Sequence, residues 1–188
     1  VAGLAAARNL IRLGHAITIY EKHSEPGGML NQGIPEFRLP RDLIYQEIEQ
    51  ITALGVEILC NTEIGKTISL QHLFEKHDAL IAAAGTLKPN LPELPNAHLS
   101  GIRHGLDFLL EAHTTGTTVG ENVIIIGGGY TAMDCARTAR RLGGTITESN
   151  NGKLTIYYRR KKENIRVIPD ELDELEHECI PLECDATP

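Results

Sequence analysis

The segment Val123-Ile124-Ile125-Ile126-Gly127-Gly128-Gly129-Tyr130-Thr131-Ala132 decides the fold, because a fully apolar strand pattern runs directly into glycines. A helical pattern follows over residues 131–142. Gly127, Gly129 and Ala132 have the spacing of the dinucleotide-binding fingerprint, in the strand-to-helix setting that this fingerprint requires. In such a turn the backbone approaches a pyrophosphate closely, and the helix N-terminus offers free N–H groups and partial positive charge. These residues predict a dinucleotide site; a glycine-rich turn without a ligand is the alternative.

Basic residues cluster where the next strand pattern ends. Residues 154–158 have a strand pattern, Arg159-Arg160 follow it directly, and Arg166 lies seven residues beyond Arg159. An acidic residue at the end of this strand binds the ribose 2′-hydroxyl of NAD, whereas arginine accommodates the 2′-phosphate of NADP. Guanidinium groups suit phosphate because they are planar, permanently charged and donate hydrogen bonds in pairs. The arginines predict NADP; a solvated basic turn is the alternative, since Lys161-Lys162 continue the charge.

The beginning of the chain contains the second half of a similar unit. Small and apolar residues predict a helix from Ala2 to Leu13, and residues 16–20 predict a buried strand that ends at Glu21. Glu21 follows Gly3 by 18 residues, which is where a carboxylate binds an adenosine ribose. We expect that the two earlier glycines and their strand precede Val1. An ordinary charge at the end of a strand is the alternative for Glu21.

Strands and helices alternate along the whole chain. A helix over 41–54 and apolar strands over 56–60 and 79–83 complete the first lobe. This alternation predicts parallel pairing, right-handed crossovers and a doubly wound α/β fold, with two Rossmann-like nucleotide-binding lobes in tandem and both ends truncated. The predicted divisions are a partial first nucleotide-binding lobe, a connection and a partial NADP-binding lobe, over residues 1–95, 96–120 and 121–188.

Composition excludes several classes of protein. The 188 residues include 18 basic and 25 acidic side chains, a net charge of −7 that argues against nucleic acid as a partner. No apolar run approaches the roughly 18 residues of a membrane span, and no signal-peptide pattern is visible, so we predict a cytoplasmic protein without a membrane partner. The four cysteines form no Cys-x-x-Cys pair, and the eight histidines lack metal-ligand spacing, so no metal site is predicted.

Longer motifs stand out along the chain: Tyr20-Glu21-Lys22, Pro26-Gly27-Gly28-Met29-Leu30, Gly33-Ile34-Pro35-x-Phe37-Arg38-Leu39-Pro40, and Gly127-Gly128-Gly129-Tyr130-Thr131-Ala132-Met133-Asp134-Cys135-Ala136. Together they resemble the small subunit of bacterial glutamate synthase and its relatives. The stretch Asn164-Ile165-Arg166-Val167-Ile168-Pro169-Asp170-Glu171 is closer to dihydropyrimidine dehydrogenase, and the resemblance covers nearly the whole chain.

This resemblance implies FAD in the first lobe and NADPH in the second. Hydride is then expected to pass from nicotinamide to flavin N5, and electrons to leave singly to iron–sulfur clusters in flanking or partner domains. The cofactors supply the chemistry, and no side chain is expected to act as a catalytic acid or nucleophile. The residues implied at the FAD site are Gly3, Glu21, Gly28, Leu30, Arg38 and Gly85. Those implied at the NADPH site are Gly127, Gly129, Tyr130, Thr131, Ala132, Asp134, Arg159, Arg160 and Arg166.

The sequence departs from the family at three places. The N-terminal cysteine-rich extension that binds iron–sulfur clusters and the first FAD glycines are not within it. The C-terminal segment that returns to close the flavin site is not within it either. Residues 148–153 form an extra segment. The leading hypothesis is an NADPH-dependent flavin oxidoreductase module that delivers electrons to a larger catalytic subunit or fused domain. The alternatives are a nucleotide-binding fragment without turnover and the electron-input part of a dihydropyrimidine dehydrogenase-like enzyme. A disulfide reductase would need a cysteine pair beside the flavin, which the sequence lacks.

Overall fold

The chain divides into two compact units, Val1–Lys88 and Pro89–Pro188. The computed structural model describes residues 1–86, 95–143 and 154–186, so the extra segment 148–153 lies outside the described residues. In both units parallel strands are joined through helices. Parallel neighbours require such crossovers, and the predicted tandem doubly wound α/β fold class is confirmed. The predicted roles of residues 1–95, 96–120 and 121–188 stay predictions.

The first unit is built on a two-stranded parallel sheet. Strand β1 (Thr18–Tyr20) pairs with β2 (Glu57–Leu59) in the register Thr18↔Glu57 to Tyr20↔Leu59. Ala7, Ile51 and Val56 are buried in its small core. Helices α2 and α4 were not predicted from the sequence. The elements in chain order are α1 Ala2–Arg12, β1 Thr18–Tyr20, α2 Met29–Gln32, α3 Arg41–Thr52, β2 Glu57–Leu59 and α4 Leu70–Lys76.

The predicted strand over residues 79–83 is wrong. These residues belong to no strand and pair with neither strand of the first unit, and Ile81 is 63% exposed. A strand forms only where its backbone groups pair with a neighbour, and β1 and β2 pair with each other. The segment instead passes the start of α1, where a Cβ added to Gly3 would lie 3.4 Å from the Cβ of Ala83. Apolar composition alone therefore overestimated the sheet.

The second unit contains a three-stranded parallel sheet in the order β3 (Val123–Ile126), β4 (Leu154–Tyr157) and β5 (Leu182–Glu183). Its strands are connected by α6 and α7, which gives the βαβαβ half of a doubly wound fold. Strand β5 and the 3₁₀ turn were not predicted from the sequence. The elements are α5 Gly105–Thr114, β3 Val123–Ile126, α6 Tyr130–Arg141, β4 Leu154–Tyr157, a 3₁₀ turn Lys162–Asn164, α7 Pro169–His177 and β5 Leu182–Glu183.

The core of the second unit lies where α5, α6 and α7 cover this sheet. Met133 and Ile156 are completely buried, and Leu175 of α7 is 2% exposed. Gly105 at the start of α5 permits close packing, because a Cβ there would lie 3.0 Å from Cys135 Sγ and 3.2 Å from Thr131 Cγ2. The first turn of α6 is therefore fixed from the interior by apolar packing.

Ion pairs join α6 to the end of α7. Arg137, whose side chain is 9% exposed, donates to Glu178 and Glu174 at 2.7 Å each. Arg141 donates to the same Glu178 carboxylate at 2.8 and 3.0 Å. Burial of Glu178 disfavours its charge, but the hydrogen bonds from Arg141 and Arg137 outweigh this effect and hold the pKa of Glu178 below its ordinary value. This network anchors the helix that carries the nucleotide fingerprint.

Replacing Glu178 by glutamine is expected to lower the free energy of unfolding at pH 7 by about 1.5 kcal/mol, through the loss of charge-assisted hydrogen bonds. Because the folded pKa is depressed, this stabilisation is present above the unfolded pKa and is lost as the pH falls through the folded pKa. Urea unfolding followed by circular dichroism should show the difference from wild type shrinking as the pH falls below the ordinary glutamate pKa of 4.5. Glu176→Gln, at a side chain 72% exposed, is the control with little effect. A pH-independent difference would contradict the assignment.

Candidate functional site

The turn between β3 and α6, residues 127–132 and hereafter the glycine turn, leaves open space above its backbone. Gly127 has φ +146°, and a Cβ there would lie 3.3 Å from that of Ala132. Its N–H donates to Tyr157 O at 3.0 Å, which fixes the turn to the end of β4. A Cβ on Gly129 would meet no atom within 4 Å. Gly127 therefore serves close packing, whereas Gly129 keeps a surface free for a ligand.

Gly128 is a site position that sequence analysis missed. The fingerprint leaves it unspecified, but a Cβ added there would lie 2.4 to 2.7 Å from the ring atoms of Tyr158. The Tyr158 ring therefore packs directly on the backbone of the glycine turn. The run of three glycines was the only signal, and it did not identify the aromatic neighbour.

The N-terminus of α6 faces this open surface. Tyr130 and Thr131 are exposed and are the first two residues of the helix. Ala132 and Asp134 are 7% and 6% exposed and belong to the buried part of the same turns. The N–H groups of a first helical turn and the helix dipole together favour an anion here. The first turn of α6 can thus hold a phosphate through its backbone.

Strand register brings the arginines of residues 159–166, the basic segment, to the same edge of the sheet. Ile126, just before the glycine turn, is opposite Tyr157 in the parallel ladder. Arg159 and Arg160 follow Tyr157 and Tyr158, and both are exposed, as is Arg166. Asp185 N–H donates to Arg160 O at 3.2 Å, which supports the start of the segment from beyond β5. The carboxyl edge of this sheet therefore combines the glycine turn with guanidinium groups.

In the first unit, two glycines shape the loop before α2. Gly27 has φ +118° and is buried, and a Cβ there would lie 3.0 Å from the Cβ of Asn31. Gly28 has φ +56°, and a Cβ there would meet no atom within 4 Å. Asn31 is fully buried and donates through Nδ2 to Glu25 Oε2 at 3.0 Å and to Pro26 O at 3.2 Å. The loop is rigidly held, with an open face at Gly28.

Arg41 holds the far side of this loop and was not predicted as a site residue. Its guanidinium, 7% exposed, donates to Leu30 O at 2.8 Å and to Ile34 O at 2.6 Å. Burial lowers the pKa of Arg41, although Glu36, Tyr45 and Glu25 act in the opposite direction. Sequence analysis selected the half-buried Arg38 from a motif, and Arg41 resembled an ordinary helix start. The structure thus adds Arg41 as the residue that positions Leu30.

Replacing Arg41 by lysine is expected to lower the free energy of unfolding by about 1 kcal/mol, because one ammonium group cannot reproduce the two-carbonyl contact. Urea unfolding monitored by circular dichroism measures this loss. Arg12→Lys, at the exposed end of α1, is the matched control with no expected effect. Equal stability of both variants would show that the Arg41 contacts are dispensable.

The remaining candidates of the first unit lie near the start of α1 and the end of β1. Glu21 accepts from His23 N–H at 3.0 Å through Oε1, and its own N–H continues the ladder to Leu59 O. Gly85 is exposed with φ +69° and follows the segment that passes Gly3. An open groove of about 610 Å³ brings Leu30 together with α1; its lining includes Val1, Leu4, Gly27, Leu30, Leu39 and Leu43.

Comparison with known proteins decides the family. The pattern of the pyridine nucleotide-disulphide oxidoreductase family matches residues 1–180. The chain belongs to this family. It is 41% identical over 144 residues to the PreT subunit of an NAD-dependent dihydropyrimidine dehydrogenase from Escherichia coli O157:H7, covering 76% of this chain and 34% of that protein. It is 32% identical over 200 residues to the small chain of NADPH glutamate synthase from Azospirillum brasilense, covering 100% of this chain and 40% of that protein.

Both relatives confirm the resemblance that the motifs predicted, and this chain spans about two-fifths of their length or less. Among solved structures, a 2-naphthoyl-CoA reductase matches with a TM-score of 0.76 at 20% identity, over 98% of this chain and 26% of that one. At this identity the match supports the α/β fold alone.

The four cysteines of this chain are all free thiols. Cys135 is buried in α6, and burial, with a smaller contribution from Asp134, raises its pKa to about 12. A thiol of this kind stays protonated at neutral pH and is a poor nucleophile. Within residues 1–86, 95–143 and 154–186, no cluster of His, Cys, Asp and Glu could hold a metal ion. No helix in the same ranges has the length and apolar character needed to cross a bilayer.

Proposed function

We propose that the chain is the NADPH- and FAD-binding part of an oxidoreductase that passes hydride from NADPH to FAD. The observation that carries this proposal is the carboxyl edge of the second sheet, where the glycine turn and the basic segment adjoin. Family membership supports the reaction class, because the pattern of pyridine nucleotide-disulphide oxidoreductases matches residues 1–180. The cytoplasmic location predicted from the sequence stays a prediction.

The glycine turn fits a dinucleotide pyrophosphate. Any side chain at Gly129 would occupy the empty space into which a phosphate must come, and the leading N–H groups of α6 adjoin that space. In our proposal Gly127, Gly129 and Ala132 form the cradle, while Tyr130 and Thr131 donate through their backbone. Asp134, which is 6% exposed on the same helix, completes the set of residues proposed for this site. The protein thus supplies position and electrostatics at this site.

The basic segment supports NADPH over NADH as the coenzyme. Arg159 and Arg160 follow the second strand of the fingerprint, the position from which a side chain reaches the adenosine 2′ substituent, and Arg166 lies on the same segment. The names of the relatives include both coenzymes, NAD for PreT and NADPH for the glutamate synthase small chain. The proposal of NADPH over NADH therefore rests on the arginines of this chain and not on the names of its relatives.

The first unit supports FAD. Gly28 and Gly85 both have positive φ angles with open space where a Cβ would project, so their backbones are accessible to a ligand. We propose that Glu21, at the end of β1, binds an adenosine ribose; Leu30 lines the groove beside α1. In this proposal Gly3 lies at the phosphates and Arg38 near the flavin. FAD, when bound, supplies the two-electron chemistry, and these residues bind and orient it.

A larger catalytic subunit or fused domain is the proposed recipient of the electrons, through iron–sulfur clusters outside this chain. The relatives that support this are named as a small chain and as a subunit of larger enzymes. A dihydropyrimidine dehydrogenase-like acceptor is the second candidate, supported by 41% identity to PreT. The two candidates share the same NADPH-to-FAD step and differ only in the final acceptor.

Anaerobic titration of the purified protein tests the proposal. The protein should be yellow, and its flavin absorbance near 450 nm should bleach on addition of NADPH and much more slowly with NADH. Equal bleaching by both coenzymes would contradict the assignment of the basic segment. A colourless preparation that binds NADP⁺ in calorimetry would instead support the alternative of a nucleotide-binding fragment without turnover.

A further inference from the structure

We propose that Tyr158 is a positioning residue for coenzyme selection, because it holds the basic segment against the glycine turn. This inference rests on the proposed function and deepens it. It names the side chain that holds the backbone of the basic segment in place, so that its arginines can bind the 2′-phosphate. Tyr158 was not among the residues expected to contact a cofactor. Its role is indirect, through the backbone that carries Arg159 and Arg166.

The ring of Tyr158 is fixed on the glycine turn. The missing side chain of Gly128 leaves room for it, since a Cβ there would overlap Cδ2 of the ring at 2.4 Å. The backbone of Tyr158 is bonded on both sides: its N–H donates to Glu183 O at 2.8 Å, and its carbonyl accepts from Ala186 N–H at 3.1 Å. Tyr158 is therefore immobilised by the sheet, by β5 and by the turn together.

The hydroxyl of Tyr158 reaches the far end of the basic segment. It donates to Asn164 O at 2.9 Å, across six residues of chain. Tyr130, at the start of α6, makes a second tie, because its hydroxyl accepts from Ile168 N–H at 3.3 Å. The hydroxyls of Tyr158 and Tyr130 thus bind the backbone on either side of Arg166. These two hydrogen bonds tie the segment to the carboxyl edge of the sheet.

This arrangement predicts an effect specific to one coenzyme. Arg159, Arg160 and Arg166 are exposed side chains, and paired donation to a phosphate requires their backbone to be held in place. The pyrophosphate is bound by the glycine turn, which has its own fixation through Gly127 N–H and Tyr157 O. Loosening the segment should therefore weaken contacts with the 2′-phosphate and leave the pyrophosphate contacts unchanged.

Tyr158→Phe tests this inference, because it keeps the ring on Gly128 and removes only the hydroxyl. Calorimetric titration of the purified protein should show Kd for NADP⁺ raised about fivefold, the value of one net hydrogen bond, with Kd for NAD⁺ within about twofold of wild type. Tyr157→Phe removes a hydroxyl from the preceding residue on β4 and is the matched control, with no change for either coenzyme. Tyr130→Phe should act in the same direction as Tyr158→Phe.

Two results would overturn the inference: equal weakening of NADP⁺ and NAD⁺, which indicates general damage to the turn, or no change in either Kd. Arg159→Ala, measured in parallel, separates this inference from the proposed function. If wild type shows no preference for NADP⁺ and Arg159→Ala has no effect, the proposed coenzyme is wrong. If Arg159→Ala removes the preference and both tyrosine variants keep it, only the role of Tyr158 is refuted.

Discussion

Replacing Arg159 by alanine is expected to weaken NADPH binding about 100-fold while NADH binding stays within a factor of about two. Arg159 is exposed and follows β4 at the edge that carries the glycine turn, so its loss removes the proposed phosphate contact without opening the core. Hydrogen bonds to charged groups contribute about 1.5 to 3 kcal/mol, and 100-fold corresponds to about 2.7 kcal/mol. The substituted protein should therefore have little preference between the two coenzymes.

Stopped-flow reduction of the bound flavin, over a range of NADPH and NADH concentrations, measures this change. Lys161→Ala is the matched control, because it removes one equal charge from the same exposed segment. If only the general positive potential mattered, NADPH binding would weaken equally in both variants. If Arg159 makes a specific contact, NADPH binding weakens far more in Arg159→Ala. Unchanged selectivity in Arg159→Ala would mean that the basic segment is a solvated surface, the alternative that the sequence left open.

Replacing Gly128 by alanine is expected to lower the free energy of unfolding by about 3 kcal/mol, the upper end of the cost of overpacking. The new Cβ would lie within 2.4 to 2.7 Å of three atoms of the Tyr158 ring, and the bonded backbone of Tyr158 restricts its retreat. Urea unfolding followed by circular dichroism measures the loss. The loss of stability in the double variant Gly128→Ala/Tyr158→Ala should be smaller than the sum of the losses in the two single variants.

Gly129→Ala is the matched comparison one residue along. Gly129 has an extended backbone, φ −111° and ψ 177°, which any residue adopts, and its Cβ would meet no protein atom within 4 Å. Stability should therefore stay within about 0.5 kcal/mol of wild type, as for ordinary surface changes. NADPH binding should nevertheless weaken, because the methyl group fills the space proposed for the pyrophosphate. Loss of stability without loss of binding in Gly129→Ala would contradict the cradle.

The sequence was sufficient to predict the βαβ segment that contains the glycine turn, because its signals are local. An apolar run, glycines at fixed spacing and a small-residue helix specify β3, the glycine turn and α6 within 20 residues of chain, and the observed helix Tyr130–Arg141 differs from the prediction by one residue at each end. The parallel ladder between β3 and β4 then brings Arg159 to the glycine turn without further information.

What the sequence did not reveal depends on contacts between distant residues. Residues 79–83 have the composition of a strand, yet pairing rather than composition makes a strand. Arg41 looks like a helix start, and only the structure shows its guanidinium on the carbonyls of Leu30 and Ile34. The ring of Tyr158 on Gly128 joins positions 30 residues apart, and no motif records that contact.

The exposure of Arg159, Arg160 and Arg166 has an evolutionary consequence. These side chains take no part in the buried core, so substitutions there should alter the proposed coenzyme preference at little cost in folding. On this proposal, a few surface substitutions would be enough for relatives to diverge in electron donor, while the scaffold beneath is inherited intact.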